Sequence, residues 1–187
     1  MTKSLVKIAL MGFAVIALAA CQSLETARLK KIQDIPATKS NALIYCSGTE
    51  NCVFERLDNI QIVKEGTKRI DSQAIEQKIV RLNGKSVGDK NALFLSVPAK
   101  QHEVVIRFYP ISDERAEKIH VIHNFKPTQH YTFNMYRQRS NGSGSLLNVS
   151  PPEPLCVDLK EGKKTIRRFC KPYNVLNGLG EFVEKKI

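Results

Sequence analysis

"NALFLSVPAKQHEVVIRFYP", residues 91–110, decides the fold. Leu93, Leu95 and Val97 recur at every second position, and after a short break Val104, Ile106 and Phe108 do the same. A period of two places these side chains on one face of an extended chain, whereas a helix would need apolar repeats three and four apart. The stretch therefore reads as two half-buried strands joined by a short turn at "PAKQH".

The same period recurs on either side. Ala42, Ile44 and Cys46 share a face in "NALIYC", as do Ile60 and Ile62 in "NIQIV". Further on, Ile119, Val121 and Phe125 do so in "KIHVIHNF", and Tyr131, Phe133 and Met135 in "YTFNMYRQR". At least six alternating strands separated by turn residues predict an all-β chain, an antiparallel β-sandwich. In "SQAIEQKIV" Ile75 and Ile79 lie four apart, so a short helix stays open there. Asn83-Gly84 between two apolar runs predicts a tight turn with positive φ at both residues. Beyond Arg139, "SNGSGS" reads as a loop, and the apolar run Leu146–Val149 is stopped by "PPEP" at 151–154. A Cys-bracketed hairpin over 156–170, turning near Glu161-Gly162, precedes the final "NVLNGLGEFVEKKI".

The N-terminus has another order. Lys3 and Lys7 are followed by an apolar segment from Ile8 to Leu18 and by the small residues Ala19 and Ala20, the three-part plan of a secretory signal. A spanning helix would want about 20 apolar residues with anchors at both ends. "LAAC", Leu18–Cys21, resembles the lipobox of bacterial lipoproteins. The resemblance implies that residues 1–20 are removed and that Cys21 carries a diacylglyceryl group and an N-acyl chain. Two or three acyl chains, at about 0.8 kcal/mol per buried methylene, hold such an anchor firmly. In that family an Asp after the Cys tends to hold the product at the inner membrane. Gln22 stands there instead, which implies the outer membrane; the periplasmic face is the expected side, although the sequence leaves surface exposure open. Residues 21–40, polar and carrying Pro36, then read as a lipidated tether with at most one helical turn, and 41–187 as a single domain.

A second resemblance covers about 55 residues, roughly 80 to 133. "VRLNGKSVGDKNALFLSVPAKQHEVVIRFYP" followed by "FKPTQHYTF" is similar to the repeat of PEGA-type β-sandwich domains. It departs at "PAKQH", where that family usually has Pro-Gly before the His. The likeness implies a non-catalytic β domain of the kind common in envelope lipoproteins.

Composition narrows the partners. The chain has 29 Lys and Arg against 18 Asp and Glu. Two of the lysines fall in the signal, so the remaining chain is still strongly basic. In an envelope protein the matching partner is another envelope protein, anionic phospholipid or lipopolysaccharide rather than nucleic acid. Lys160, Lys163, Lys164, Arg167, Arg168 and Lys171 concentrate in the C-terminal hairpin and form the candidate binding face. Beyond Cys21, the four cysteines Cys46, Cys52, Cys156 and Cys170 allow three connectivities in an oxidising compartment. Proximity favours Cys46 with Cys52 and Cys156 with Cys170, and neither pair has the short spacing of common zinc sites.

Catalytic patterns are weak. "GKSVG" at Gly84–Gly88 matches a nucleophile elbow around Ser86, but that motif needs a strand, a strained turn and a helix, and its setting here is hairpin-like. As a P-loop tail it lacks the first glycine, since Ile79 stands in that place. His120 and His123 face opposite sides of a strand, and His123 joins Val121 and Phe125 on the apolar side; His102 and His130 complete the set. The expectation is a non-catalytic binding or assembly module with no cofactor beyond the lipid on Cys21. The alternative is a carrier of a small apolar or anionic ligand between the sheets.

Overall fold

In β1 (Ala42–Ser47) the alternation buries Ala42, Ile44 and Cys46 and leaves Leu43, Tyr45 and Ser47 half-buried. One face of this strand must therefore meet a second layer. The computed structural model supplies that layer, and describes residues 23–67, 69–138, 154–171 and 180–187. The further strands are β2 (Asn51–Leu57), β3 (Ile60–Gln61), β4 (Val80–Leu82), β5 (Leu93–Val97), β6 (Gln101–Ser112) and β7 (Arg115–Asn124). They continue with β8 (His130–Arg137), β9 (Leu155–Glu161), β10 (Lys164–Lys171) and β11 (Val183–Lys185). A seven-stranded sheet in the order β11-β10-β9-β8-β1-β5-β4 faces a four-stranded sheet in the order β3-β2-β6-β7.

The expected all-β sandwich is present. Ile44, Leu95, Phe133, Met135 and Leu159 of the larger sheet and Phe54, Ile106 and Phe108 of the smaller are completely buried. At roughly 1.5–3 kcal/mol per large apolar side chain, this interlayer is the main stabilising term. It is filled by side chains from both sheets.

Several elements differ from the sequence-based expectation. β1 and β8 run parallel, from Leu43 opposite His130 to Ser47 opposite Asn134, within an otherwise antiparallel sheet. No hairpin joins these two strands, because the chain leaves β1 through a corner at Gly48 and enters the smaller sheet. The turn at 98–100 also switches sheets, so β5 and β6 are sequential but not paired. Asn83-Gly84 is not a tight turn and neither residue has positive φ. A loop over 83–92 connects β4 to β5 instead, held by Asp89, whose carboxylate accepts from Lys85 N and Ser86 N at 2.9 and 3.0 Å. The positive φ falls on Asn91 at the far end of that loop. β2 lacks a sustained period of two because Glu55 sits in an irregularity between Phe54 and Arg56.

The helix left open is α2 (Ser72–Glu76), capped by Asp71 accepting from Gln73 N at 2.9 Å. An earlier helix, α1, spans 23–30 in the stretch expected to be a flexible tether. Glu25 and Leu29, four apart and so on one face, are both buried. Glu25 meets Arg69, and Leu29 joins the core cluster. From residue 23 the segment is therefore docked, because one apolar side chain on a single helical face suffices to seat it. The segment expected to be a signal, with Cys21, the "SNGSGS" stretch, the Leu146–Val149 run with most of "PPEP", and the "NVLNGL" stretch lie outside the described residues.

Candidate functional site

The C-terminal hairpin turns where expected, with Gly162 at φ 59° between β9 and β10. Two disulfides are present, Cys46–Cys52 and Cys156–Cys170. The first joins β1 to β2 and so ties the two sheets together. The second joins residues directly opposite each other on β9 and β10.

The six cations of the hairpin do not form one face. Strand alternation and an irregularity between Thr165 and Arg167 divide them. Arg167 and Lys171 turn toward the smaller sheet. Arg167 makes a two-pronged pair with Glu184, both contacts at 2.7 Å, and donates to Ile122 O; Lys171 meets Glu117 at 2.7 Å. Arg168 lies on the opposite, outward face and grips Asp158 through Nε at 2.7 Å and Nη2 at 2.9 Å. Tyr136 and Thr165 also donate to Asp158, at 3.1 and 3.2 Å. Burial raises the Asp158 carboxyl, but these donors outweigh it and hold the group below the ordinary carboxylate range. Three of the six cations are thus used inside the fold. Lys160, Lys163 and Lys164 take part in no ion pair among the described residues, and the last two are fully outward at the turn.

A larger surface lies on the outer face of the seven-stranded sheet. Register aligns Arg81 with Phe94, Tyr45 with Thr132, Thr132 with Lys160, and Lys160 with Thr165, so one row crosses the sheet. Tyr45 and Phe94 stack with ring centres 4.9 Å apart, and His130 stands 6.1 Å from Tyr45. Burial pushes the Tyr45 hydroxyl above its ordinary pKa. At one end of the row a groove of about 380 Å³ runs between α1 and the sheet, lined by Leu29, Ile32, Leu43, Leu82 and Phe94. Its rim is fixed by Arg81 Nη2 on Asp34 at 2.9 Å. Half-buried aromatics, with an unpaired lysine two strands away on the same row, make a surface that can bury apolar area and add a charge-assisted contact.

The other sequence-picked residues are placed as follows. Ser86 sits in the 83–92 loop, its Oγ accepting from Gly88 N at 3.2 Å, with no helix after it. His123 packs edge-on against Phe125 and Tyr131 at 4.9 and 5.5 Å; burial, and then the Arg167 charge, push its pKa down. His120 is exposed near Glu103 at 3.5 Å. His102, which no sequence motif singles out, is buried. Its Nδ1 faces Asp58 Oδ2 at 2.7 Å and its Nε2 faces Pro98 O at 3.0 Å, locking the β2–β3 turn to the 98–100 corner. Alternation from Val104 back to His102 was the available signal, since it places His102 on the core face. Among the described residues no group of three or more His, Cys, Asp and Glu is placed to hold a metal ion. None of their helices is long and apolar enough to cross a membrane. No protein-family model, curated protein or solved structure matches the chain.

Proposed function

We propose that this chain is a non-catalytic binding module of the bacterial envelope, anchored in the outer membrane through lipid on Cys21. It docks another envelope protein on the outer face of its larger sheet. The observation that carries this reading is the Tyr45–Phe94 stack in register with Thr132 and Lys160, on a sheet face opposite a filled interlayer. A carrier would need its space between the sheets, where Phe54, Phe108, Phe133 and Met135 are packed. The leader and the lipobox resemblance support the location, and the likeness to PEGA-type domains supports the absence of catalysis. The basic surface is narrower than composition suggests. Lys160, Lys163 and Lys164 remain for steering, each contributing little at an exposed rim.

The test is a pull-down from solubilised envelope with residues 22–187 as bait, washed at low and then high salt. The expected result is one discrete protein retained through high salt by the wild-type bait and lost with Tyr45→Ser and Lys160→Glu together. Retention of only anionic lipid or lipopolysaccharide, released by salt, would replace the protein partner with the membrane surface.

A further inference from the structure

The outer face of the smaller sheet carries a separate site. Asn51 and Val53 of β2 stand opposite Tyr109 and Arg107 of β6 on that face. The 83–92 loop, with Val63, Thr67, Arg69 and Ile70, walls them into a cleft of about 350 Å³. That volume is at the small end of ligand pockets. It lies away from the Tyr45–Phe94 row, which is on the other sheet.

Arg107 is the unusual member. Its side chain is only 7% exposed, yet it forms part of the cleft wall. Nε faces Glu55 Oε2 at 3.1 Å without the alignment of a hydrogen bond, and Nη2 donates to Val63 O at 3.2 Å. Nη1 has no partner among the described residues. Glu55 is also held by Lys118 Nζ at 2.9 Å, so two cations share one carboxylate and the guanidinium keeps charge to spare. A buried cation in that state favours an arriving anion.

The neighbouring groups are preset. Asn91 Oδ1 accepts from Cys52 N at 2.7 Å, and Asn51 Oδ1 accepts from Asn91 N at 3.2 Å. Both carboxamides are therefore fixed by their oxygens, and each leaves its NH₂ as a free donor. The Tyr109 hydroxyl has no partner among the described residues, and neither does the Asp113 carboxylate at the rim. The cations Arg69 and Lys90 are already paired, with Glu25 and Glu50. Three carboxylates line the cleft; Glu25 is held by Arg69 and Asp89 by the backbone of Lys85 and Ser86, which leaves Asp113 as the one without a partner among the described residues. Fixed donors around one under-used guanidinium, with that carboxylate at the rim, match a small molecule that carries a carboxylate and its own donor.

We propose that this cleft binds a small amino acid or hydroxy acid, its carboxylate on Arg107 and the amides of Asn51 and Asn91, and its ammonium or hydroxyl group toward Asp113. The experiment is an NMR titration of the disulfide-bonded chain 22–187 with L-alanine, L-glutamate and L-malate, and with L-alaninamide as the control lacking a carboxylate. Saturable shifts at Cys52, Asn91 and Tyr109 are expected for at least one acid and not for the amide. Asn91→Asp keeps the oxygen that accepts from Cys52 N but exchanges a donor for a negative charge, and should weaken binding about tenfold or more. Tyr109→Phe removes only a hydroxyl and should weaken it about threefold. Absence of saturation by all three acids up to tens of millimolar overturns the assignment. So does equal binding of L-alaninamide, or an unchanged affinity in both variants with wild-type spectra elsewhere.

Discussion

Two disulfide-bracketed turns can be set side by side. Each has a glycine at positive φ: Gly48, at 94°, inside Cys46–Cys52, and Gly162, at 59°, inside Cys156–Cys170. The first turn is a corner where the chain passes from the larger sheet to the smaller, and the second is the tip of a hairpin within one sheet. A Cβ on Gly48 would come within 2.0 Å of Met135 O, a backbone atom of β8, whereas a Cβ on Gly162 would meet nothing within 4 Å. The same backbone conformation is therefore required for different reasons. At the hairpin tip only local dihedral preference is at stake. At the corner a neighbouring strand also lies against the turn, and any side chain must displace it.

The comparison breaks most visibly at the glycines themselves. Gly48→Ala should lose about 4 kcal/mol or prevent folding, because backbone must shift as well as φ. Urea denaturation would measure it, and a loss close to that of Gly162→Ala would show that β8 yields easily. The disulfides come next. Loop-closure entropy ranks Cys156→Ser/Cys170→Ser, about 3 kcal/mol, slightly above Cys46→Ser/Cys52→Ser, about 2.5 kcal/mol. A larger loss for the corner pair would mean that tying two sheets matters beyond chain entropy. The corner pair should also perturb the cleft, because Asn91 is bonded to Cys52 N.

Asp158 sharpens the hairpin side. Asp158→Asn should cost about 2 kcal/mol, since it weakens a buried carboxylate's grip on Arg168 while that guanidinium still reaches water. The folded carboxyl titrates below its value in the unfolded chain. Its stabilisation is therefore present above about pH 4 and is lost as pH falls through the folded value. Asp58, Glu103 and Glu184 are also held low: burial raises Asp58 but His102 and Glu103 N outweigh it, while Arg56 lowers Glu103 and Arg167 lowers Glu184. Urea midpoints should drop between neutral pH and pH 3, less steeply in Asp158→Asn. A parallel drop would show that Asp158 has no part in it. The smallest effect is expected for Gly162→Ala, about 1 kcal/mol, from positive φ alone.

The hairpin also shows how far residue chemistry can be read along a chain. Gly162 and the 156–170 bracket are local features, and the turn forms where they put it. The six cations around it are equally visible, but their partners are not. Lys171 is matched by Glu117 and Arg167 by the backbone of Ile122, both contributed by β7 across the sandwich. Clustering in sequence predicted one basic face, and alternation across two sides of a strand divided it. The Asn83-Gly84 turn failed similarly. Its dipeptide suits a tight turn, but Asp89 six residues after Asn83 closes a longer loop that also forms a wall of the cleft.

The sequence by itself determined which residues face inward in β1 and β5 to β8, the hairpin of β9 with β10, the pairing of near cysteines, and the all-β class. These follow from side-chain period and short chain separations, which are properties of the local backbone. Only the tertiary structure decided which sheet each strand joins, that β1 and β8 run parallel, that Leu29 of α1 enters the core, and that Arg107 meets Asn51, Asn91 and Tyr109. A period of two reports that one face is covered but not by what. The covering surface comes from segments far apart in the chain, whose meeting depends on packing the whole interlayer.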